Sequence, residues 1–358
     1  MSDANEPAVS ERLHQAGLLK QAEPDTAHTD TPWYVKLLLA FSGWLAAIFL
    51  LGFIGAGLAF IIDIPAVAIV VGSAMIGGAY VLLRAPKNEF IEHLSLALSL
   101  AGQGLMIWGL FSISERNFIL NWLIIGVIQS ALAWAMPNNV HRVFSIVVAV
   151  YAFAFMLFEV RAYYLINSVL LLLVTWLWLH EFDYPQNMRK IRAIGYGLVL
   201  ALIPLQGAAT FGHGIFYWRA GNAHTSSWFQ PWLGELLTGA VLLYFVWQLL
   251  NRADSALSKL QTYAVLASTL IFTLVSIEAA GITIGITIIL LGFYGSNRIL
   301  MGLGCAALLF YISSYYYLLS TTLLDKSQLL LATGLVLFFM RWLMRQFIVT
   351  EKGVSHGK

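Results

Sequence analysis

Few residues in this sequence combine a reactive type with a spacing that chemistry could use. His180, Glu181 and Asp183 begin like the zinc-binding HExxH run, in which two imidazoles one helical turn apart share a face and a glutamate acts as base. The fourth residue after His180 is Tyr184, so the second imidazole is missing and the group reads as a solvated helix end. Phe211 to Trp232 holds His213, Arg219 and His224 among several aromatic groups. That composition suits a ligand-binding loop, and it suits better an interfacial helix lying in lipid headgroups. Cys305 is the only cysteine and lies in an apolar run, so it forms no internal disulfide and completes no metal set. It reads as a small residue filling a helix interface. Neither a GxSxG elbow nor a phosphate-binding glycine loop is present. The sequence thus nominates no catalytic residue, no metal ligand and no cofactor.

It does contain polar groups in apolar surroundings. Gln103, Gln129 and Gln206 fall inside spanning-length apolar runs, where they are expected to hydrogen-bond between helices; lining a substrate path is the lesser reading. Asp63, Glu235, Glu278, Lys326 and the triplet Tyr315, Tyr316 and Tyr317 all fall near span ends on the side assigned to the outer leaflet. Carboxylates this close to lipid are costly unless paired or able to reach water. The expectation is that Glu235 or Glu278 pairs with Lys326, and that the cluster forms the mouth of a solute path or the docking point for a partner.

The elements that must position these groups derive from composition. With 59% hydrophobic and 11% charged residues in 358, the chain is too apolar for a soluble globular protein, where about a quarter of residues are charged. A net charge of +2 implies no nucleic acid partner; the partner implied is the lipid bilayer. Residues 1–31 are polar and hold no long apolar core, so no signal peptide is expected and the first span must anchor itself. Within this tail Glu11 to Leu19 reads as a short amphipathic helix. Residues 32–349 form the expected transmembrane helical domain and 350–358 a short tail.

Apolar runs lie at about 37–61, 65–83, 93–112, 118–136, 142–159, 163–181, 191–212, 231–250, 259–277, 280–295, 298–319 and 327–347, each near the roughly 20 residues a bilayer demands. The reading is all-α, a bundle of about twelve spans, with 259–295 the least clear stretch because Glu278 and Gly281 interrupt it. Starting inside, this layout puts 16 of the 20 Lys and Arg residues on the cytoplasmic side, leaving Arg116, Arg161, Arg219 and Lys326 outside. Cytoplasmic loops are enriched in such residues, so both termini should be cytoplasmic. In the last hairpin the tyrosine triplet marks an interface, Asp325 or Ser327 can cap the second helix, and Arg341, Trp342 and Arg345 make a cytoplasmic collar.

Small residues four apart, which let helix backbones approach where lipid offers no hydrophobic drive, point to packing faces at Gly52, Gly55, Gly77, Gly281, Gly285 and Gly302. PWYVK leading into LLLAFSGWLAAIFLLGFIG, and LLGFYGSNRILMGLG with YYYLLSTTLLDKS near the end, resemble an uncharacterised bacterial family of polytopic inner-membrane proteins, domain of unknown function 4401. The resemblance runs over nearly the whole chain, though residues 118–250 match only as generic apolar helices. It implies an all-helical fold, a bacterial inner membrane and a smaller membrane partner bearing a Gly-Asp-Tyr motif, and it supplies no activity. The expected function is a non-catalytic envelope protein that assembles with a membrane partner. The alternative is a small-solute transporter or channel-like carrier, against which stands the scarcity of ionisable groups deep in the spans.

Overall fold

A computed structural model describes residues 64–84, 89–114, 116–160, 162, 165–211, 231–252, 259–278 and 281–318, with scattered positions at 38–52 and 322–338. Asp63, Gly55 and Lys326, the 213–230 segment, and the tails at 1–31 and 350–358 lie outside the described residues. The described chain is helical throughout: α1 (Pro65–Arg84), α2 (Glu89–Ile113), α3 (Phe118–Ala135), α4 (Asn139–Glu159), α5 (Leu165–Leu179), α6 (Met188–Phe211), α7 (Pro231–Arg252), α8 (Lys259–Val275), α9 (Ile282–Tyr294) and α10 (Arg298–Leu318). These ten coincide with the second to eleventh apolar runs. Pro65–Arg84, Ile91–Ile113, Phe118–Ala135, Asn139–Glu159, Pro185–Ala209 and Trp232–Arg252 are long and apolar enough to cross a membrane, and α5, α8, α9 and Arg298–Ser314 are shorter apolar helices.

Local signals account for the breaks. Pro65 and Pro231 sit at the first position of their helices, where a missing amide is harmless. Between α3 and α4, Met136 is extended ahead of Pro137, and the Asn138 side chain accepts from the His141 amide at 3.0 Å to cap α4. At the end of α9 the Asn297 amide reaches back to the Gly292 carbonyl at 2.8 Å, with Ser296 at φ 49, which closes the last turn in a Schellman arrangement. Asn297 Oδ1 then accepts from the Leu300 amide at 3.1 Å to start α10, and its amide donates to Tyr196 Oη on α6 at 2.7 Å. The GSNR turn of the sequence is therefore a stop, a start and an interhelical tie in four residues. Further on, Thr322 rather than Asp325 caps the next helical segment. Its hydroxyl oxygen accepts from the Asp325 amide at 3.3 Å and its proton goes to Asp325 Oδ2 at 2.7 Å.

Helices α1 and α2, and likewise α9 and α10, run antiparallel, as contact registers show. Gly72 faces Gly102 and Gly109 faces Pro65 between α1 and α2; Gly292 faces Met301 and Gly285 faces Leu308 between α9 and α10. The main core joins α4, α5, α6, α7, α9 and α10 around fully buried residues such as Leu171, Val199, Leu202, Phe245, Ile284 and Ile288. A smaller separate core, Ile76, Met106 and Met136, holds α1 and α2 to α3. Polar side chains bridge the two cores.

The glycines fall into two sets. A Cβ on Gly72, Gly109, Gly292 or Gly304 would lie within 2.8 Å of a neighbouring helix's backbone, so these positions set the closest approaches. Among the packing candidates, Gly285 meets Leu308 at 3.1 Å and Gly281 meets the Tyr311 ring at 2.8 Å, whereas a Cβ on Gly52, Gly77 or Gly302 would have nothing within 4 Å. Cys305 is exposed on the outside of the bundle rather than filling an interface.

Candidate functional site

Two polar clusters lie inside the bundle. The first is built on Glu235, four residues into α7. Its Oε1 accepts from Gln206 Nε2 on α6 at 2.9 Å, and Gln206 Oε1 accepts from Asn167 Nδ2 on α5. The Gly281 backbone and the Thr238 hydroxyl lie within electrostatic reach of the carboxylate, and Tyr311 on α10 faces it as well. Five helices thus converge on one acid. The Tyr311 hydroxyl is used elsewhere, donating to the Ile203 carbonyl at 3.0 Å, so its ring acts as a wall. That ring lies against Gly281, whose φ of 91 lies in the left-handed region and leaves no room for a side chain.

The helices around Glu235 are interrupted. Pro204 removes an amide from α6 two residues before Gln206. The stretch from α8 to α9 is broken by a 3-10 turn at Ser276–Glu278 and the left-handed Gly281. Thirteen residues separate Gly281 from Tyr294, and thirteen separate Arg298 from Tyr311, which places this level about 20 Å from the Arg298 end at 1.5 Å per residue.

Of the cluster expected from sequence, Glu235 takes its bond from Gln206, and Tyr316 and Tyr317 lie edge to face with ring centroids 6.1 Å apart. Glu278 ends the 3-10 turn and Tyr315 lies in α10, with backbones alone described. The expected pairing with Lys326 falls outside the described residues.

The second cluster centres on His141 at the start of α4, a residue that no motif in the sequence singles out. Its Nε2 lies 2.7 Å from Ser99 Oγ and 3.1 Å from Gln103 Nε2, both on α2. Its Nδ1 lies 3.1 Å from Ser145 Oγ, and Gln103 Oε1 accepts from Gln129 Nε2 on α3 at 3.0 Å. An amide nitrogen only donates, so Nε2 is the accepting nitrogen and Nδ1–H donates to Ser145. Near the helix ends Asn138 donates to Glu92, completing a polar seam between α2 and the α3–α4 hairpin. The expectation that Gln103, Gln129 and Gln206 bond between helices holds for all three. Ser99 beside an imidazole has the geometry of a nucleophile and base, but the two residues are 0% and 1% exposed, so no substrate reaches them in this conformation.

Next to it Arg142 is 2% exposed, although its position counted it as a cytoplasmic loop cation. Its guanidinium donates to the Ala133 carbonyl at 2.7 Å, the Met136 carbonyl at 2.6 Å and Asn139 Oδ1 at 2.7 Å. It therefore caps the carbonyl end of α3, where cations suit the helix dipole. Arg252 does the same for α5 through the Leu179 carbonyl at 2.7 Å. Glu181 is also buried rather than solvated, 1% exposed and paired with Arg192, while His180 Nδ1 stays with the Trp176 carbonyl at 2.8 Å. No signal in spacing marks these roles, because each depends on which helix end lies opposite.

The family described as Domain of unknown function (DUF4401) matches residues 32–347. No curated protein and no solved structure matches the chain.

Proposed function

The chain belongs to the family Domain of unknown function (DUF4401), and because its interior holds a carboxylate where five helices meet, we propose that it is a non-catalytic carrier of a small charged solute. The reading places it in a bacterial inner membrane with about twelve spans and both termini cytoplasmic. What supports it is Glu235 itself. An ionisable group inside a bundle is costly to keep and is retained at ion and solute pathways. The acid lies beside a proline-interrupted helix and a broken helix pair, the arrangement in which carriers expose binding groups at depth. Scarcity of deep ionisable groups is the sequence-level objection to transport, and Glu235, four residues into α7, is the acid on which the carrier reading rests.

The competing reading is an envelope protein assembled with a smaller Gly-Asp-Tyr membrane partner, which gives Glu235 no mobile charge to meet. Reconstituted protein on a solid-supported membrane separates the two. Rapid exchange of N-methylglucamine chloride for sodium, potassium or ammonium chloride should produce charge movement. Glu235→Gln should reduce it by about tenfold or more, equivalent to about 1.4 kcal/mol. Currents equal to those of protein-free membranes for wild type would reject the carrier and favour assembly.

The topology is tested separately. In a Cys305→Ser background, single cysteines at His224 and Gln186 should be labelled by an impermeant thiol reagent from opposite sides of the membrane. Labelling of both from one side would overturn the twelve-span arrangement.

A further inference from the structure

Four polar ties at one end of the bundle join into a closed circuit. Arg192 on α6 pairs with Glu181, which follows the end of α5. The Leu179 carbonyl at the end of α5 accepts from Arg252 Nη1 on α7 at 2.7 Å, and the same nitrogen donates to Tyr294 Oη at the end of α9 at 3.2 Å. Asn297, in the turn from α9 to α10, donates to Tyr196 Oη at 2.7 Å and so returns the circuit to α6. Two edge-to-face ring pairs back it. Trp178 on α5 meets Tyr196 with centroids 5.4 Å apart, and Phe245 on α7 meets Tyr294 at 6.5 Å.

Resting on the carrier reading, we propose that this circuit is the gate that shuts Glu235 off from the Arg252 end of the bundle. The helices it joins, α5, α6, α7, α9 and α10, are the five that converge on Glu235 at the other level. Twelve residues separate Asn167 from Leu179, fourteen separate Arg192 from Gln206 and seventeen separate Glu235 from Arg252, so the two levels lie about 18–26 Å apart along the helices. Fully buried side chains such as Leu171, Leu202 and Ile288 fill the space between them, which makes this a conformation closed from that end. The ties suit a contact that opens and recloses. Each joins two helices, and the Arg192 side chain is 43% exposed, so solvent at the rim can replace what the bond supplies. The joints lie at the Glu235 level. Pro204 separates the part of α6 that bears Arg192 and Tyr196 from Gln206, and Gly281 breaks the chain where α9 begins, so the tied ends can part while the contacts to the acid persist. Carriers expose a fixed site to one side at a time by gating of this kind.

The test reads access and does not depend on transport. In a Cys305→Ser background, Thr175→Cys places a reporter on α5 one turn inside Leu179, at a position that is fully buried, and Ala149→Cys on α4 places a control in the core outside the five helices. Full-length protein in detergent is treated with a small cationic methanethiosulfonate well below its Tm. Tyr196→Phe, which removes one hydroxyl, and Arg252→Met should each raise the modification rate at Thr175→Cys by about tenfold or more and leave that at Ala149→Cys unchanged. Glu181→Arg and Arg192→Glu should each do the same alone, and the two together should restore the slow rate. A Thr175→Cys rate that none of these variants changes, or equal acceleration at both reporters, overturns the gate; the second result would make the circuit a staple of the whole fold. Charge movement by wild type with an unresponsive Thr175→Cys reporter would leave the carrier standing without this gate. Circuit-controlled access in a protein that moves no charge would uphold the gate and remove the carrier.

Discussion

Arg142→Met is expected to destabilise the protein by about 3–5 kcal/mol, more than any other single substitution of a basic residue in the described bundle. The guanidinium closes two carbonyls at the end of α3 and one amide oxygen on α4, and all three bonds are 2.6–2.7 Å. Methionine keeps the volume of the stem and offers no donor. The Ala133 and Met136 carbonyls would then be buried without partners, at a cost of about 1–3 kcal/mol each, and the charge-assisted bonds would be lost as well. Lysine at the same position restores the charge as a single point and should recover part of the loss, because it cannot span three acceptors. Arg84→Met supplies the control. Arg84 is exposed and its guanidinium stacks 4.4 Å from the Tyr80 ring, a contact worth about 0.5–1 kcal/mol at such a site. Thermal or denaturant melts in detergent report both. Equal losses at the two positions would mean that Arg142 is not an internal cap.

The second large effect is expected at Gly72. A Cβ there would sit 2.5 Å from the Gly102 carbonyl oxygen and 3.0 Å from the Met106 amide nitrogen, both backbone atoms that cannot rotate away. Gly72→Leu should therefore push α1 off α2 and lower stability by roughly 3 kcal/mol or more, at the upper end of overpacking costs. It should also loosen the small Ile76, Met106 and Met136 core. Gly77→Leu lies on the same helix with nothing within 4 Å of its Cβ, and it should change stability by less than about 0.5 kcal/mol. A small effect at Gly72, or a comparable one at Gly77, would show that the hairpin is not held by this contact.

These two residues mark the limit of spacing as a guide to packing. Gly77 is a packing candidate because Ser73 precedes it by four, and that spacing establishes a shared helix face. It does not say whether the face meets another helix or lipid. In water a packed face is apolar and a free one polar, so pattern separates them. In a membrane both are apolar, and α1 carries isoleucine on its buried side and valine on its exposed side. Gly72 and Gly102 differ from Gly77 and Gly104 only in what lies opposite. The same holds for Arg142, whose identity suits a cytoplasmic loop and whose environment is a helix end.

Gln103, Gln129 and Gln206 were legible because an amide has one economical use between apolar helices, bonding across to another helix. Their partners were not. His141 is 38 residues from Gln103 and Asn167 is 39 from Gln206, separations with no local period. The His141 seam is hidden in the sequence for this reason, since one histidine at a helix start carries no spacing signal. Counting residues places Glu235 near a span end, yet its surroundings depend on where α9 begins. Gly281 shortens that helix and brings its first turn beside the acid.

By itself the sequence determined the features set by composition and local rules: an all-helical chain apolar enough for a membrane and the approximate limits of ten helices. Each depends on hydrophobic run length or on backbone needs within a few residues. Only the tertiary structure decided which glycines touch, which cation caps which helix, and that Glu235 meets Gln206 and Asn167. Those outcomes depend on helix rotation and register, which an apolar solvent leaves unmarked in the residue pattern because it makes packed and lipid-facing sides chemically alike.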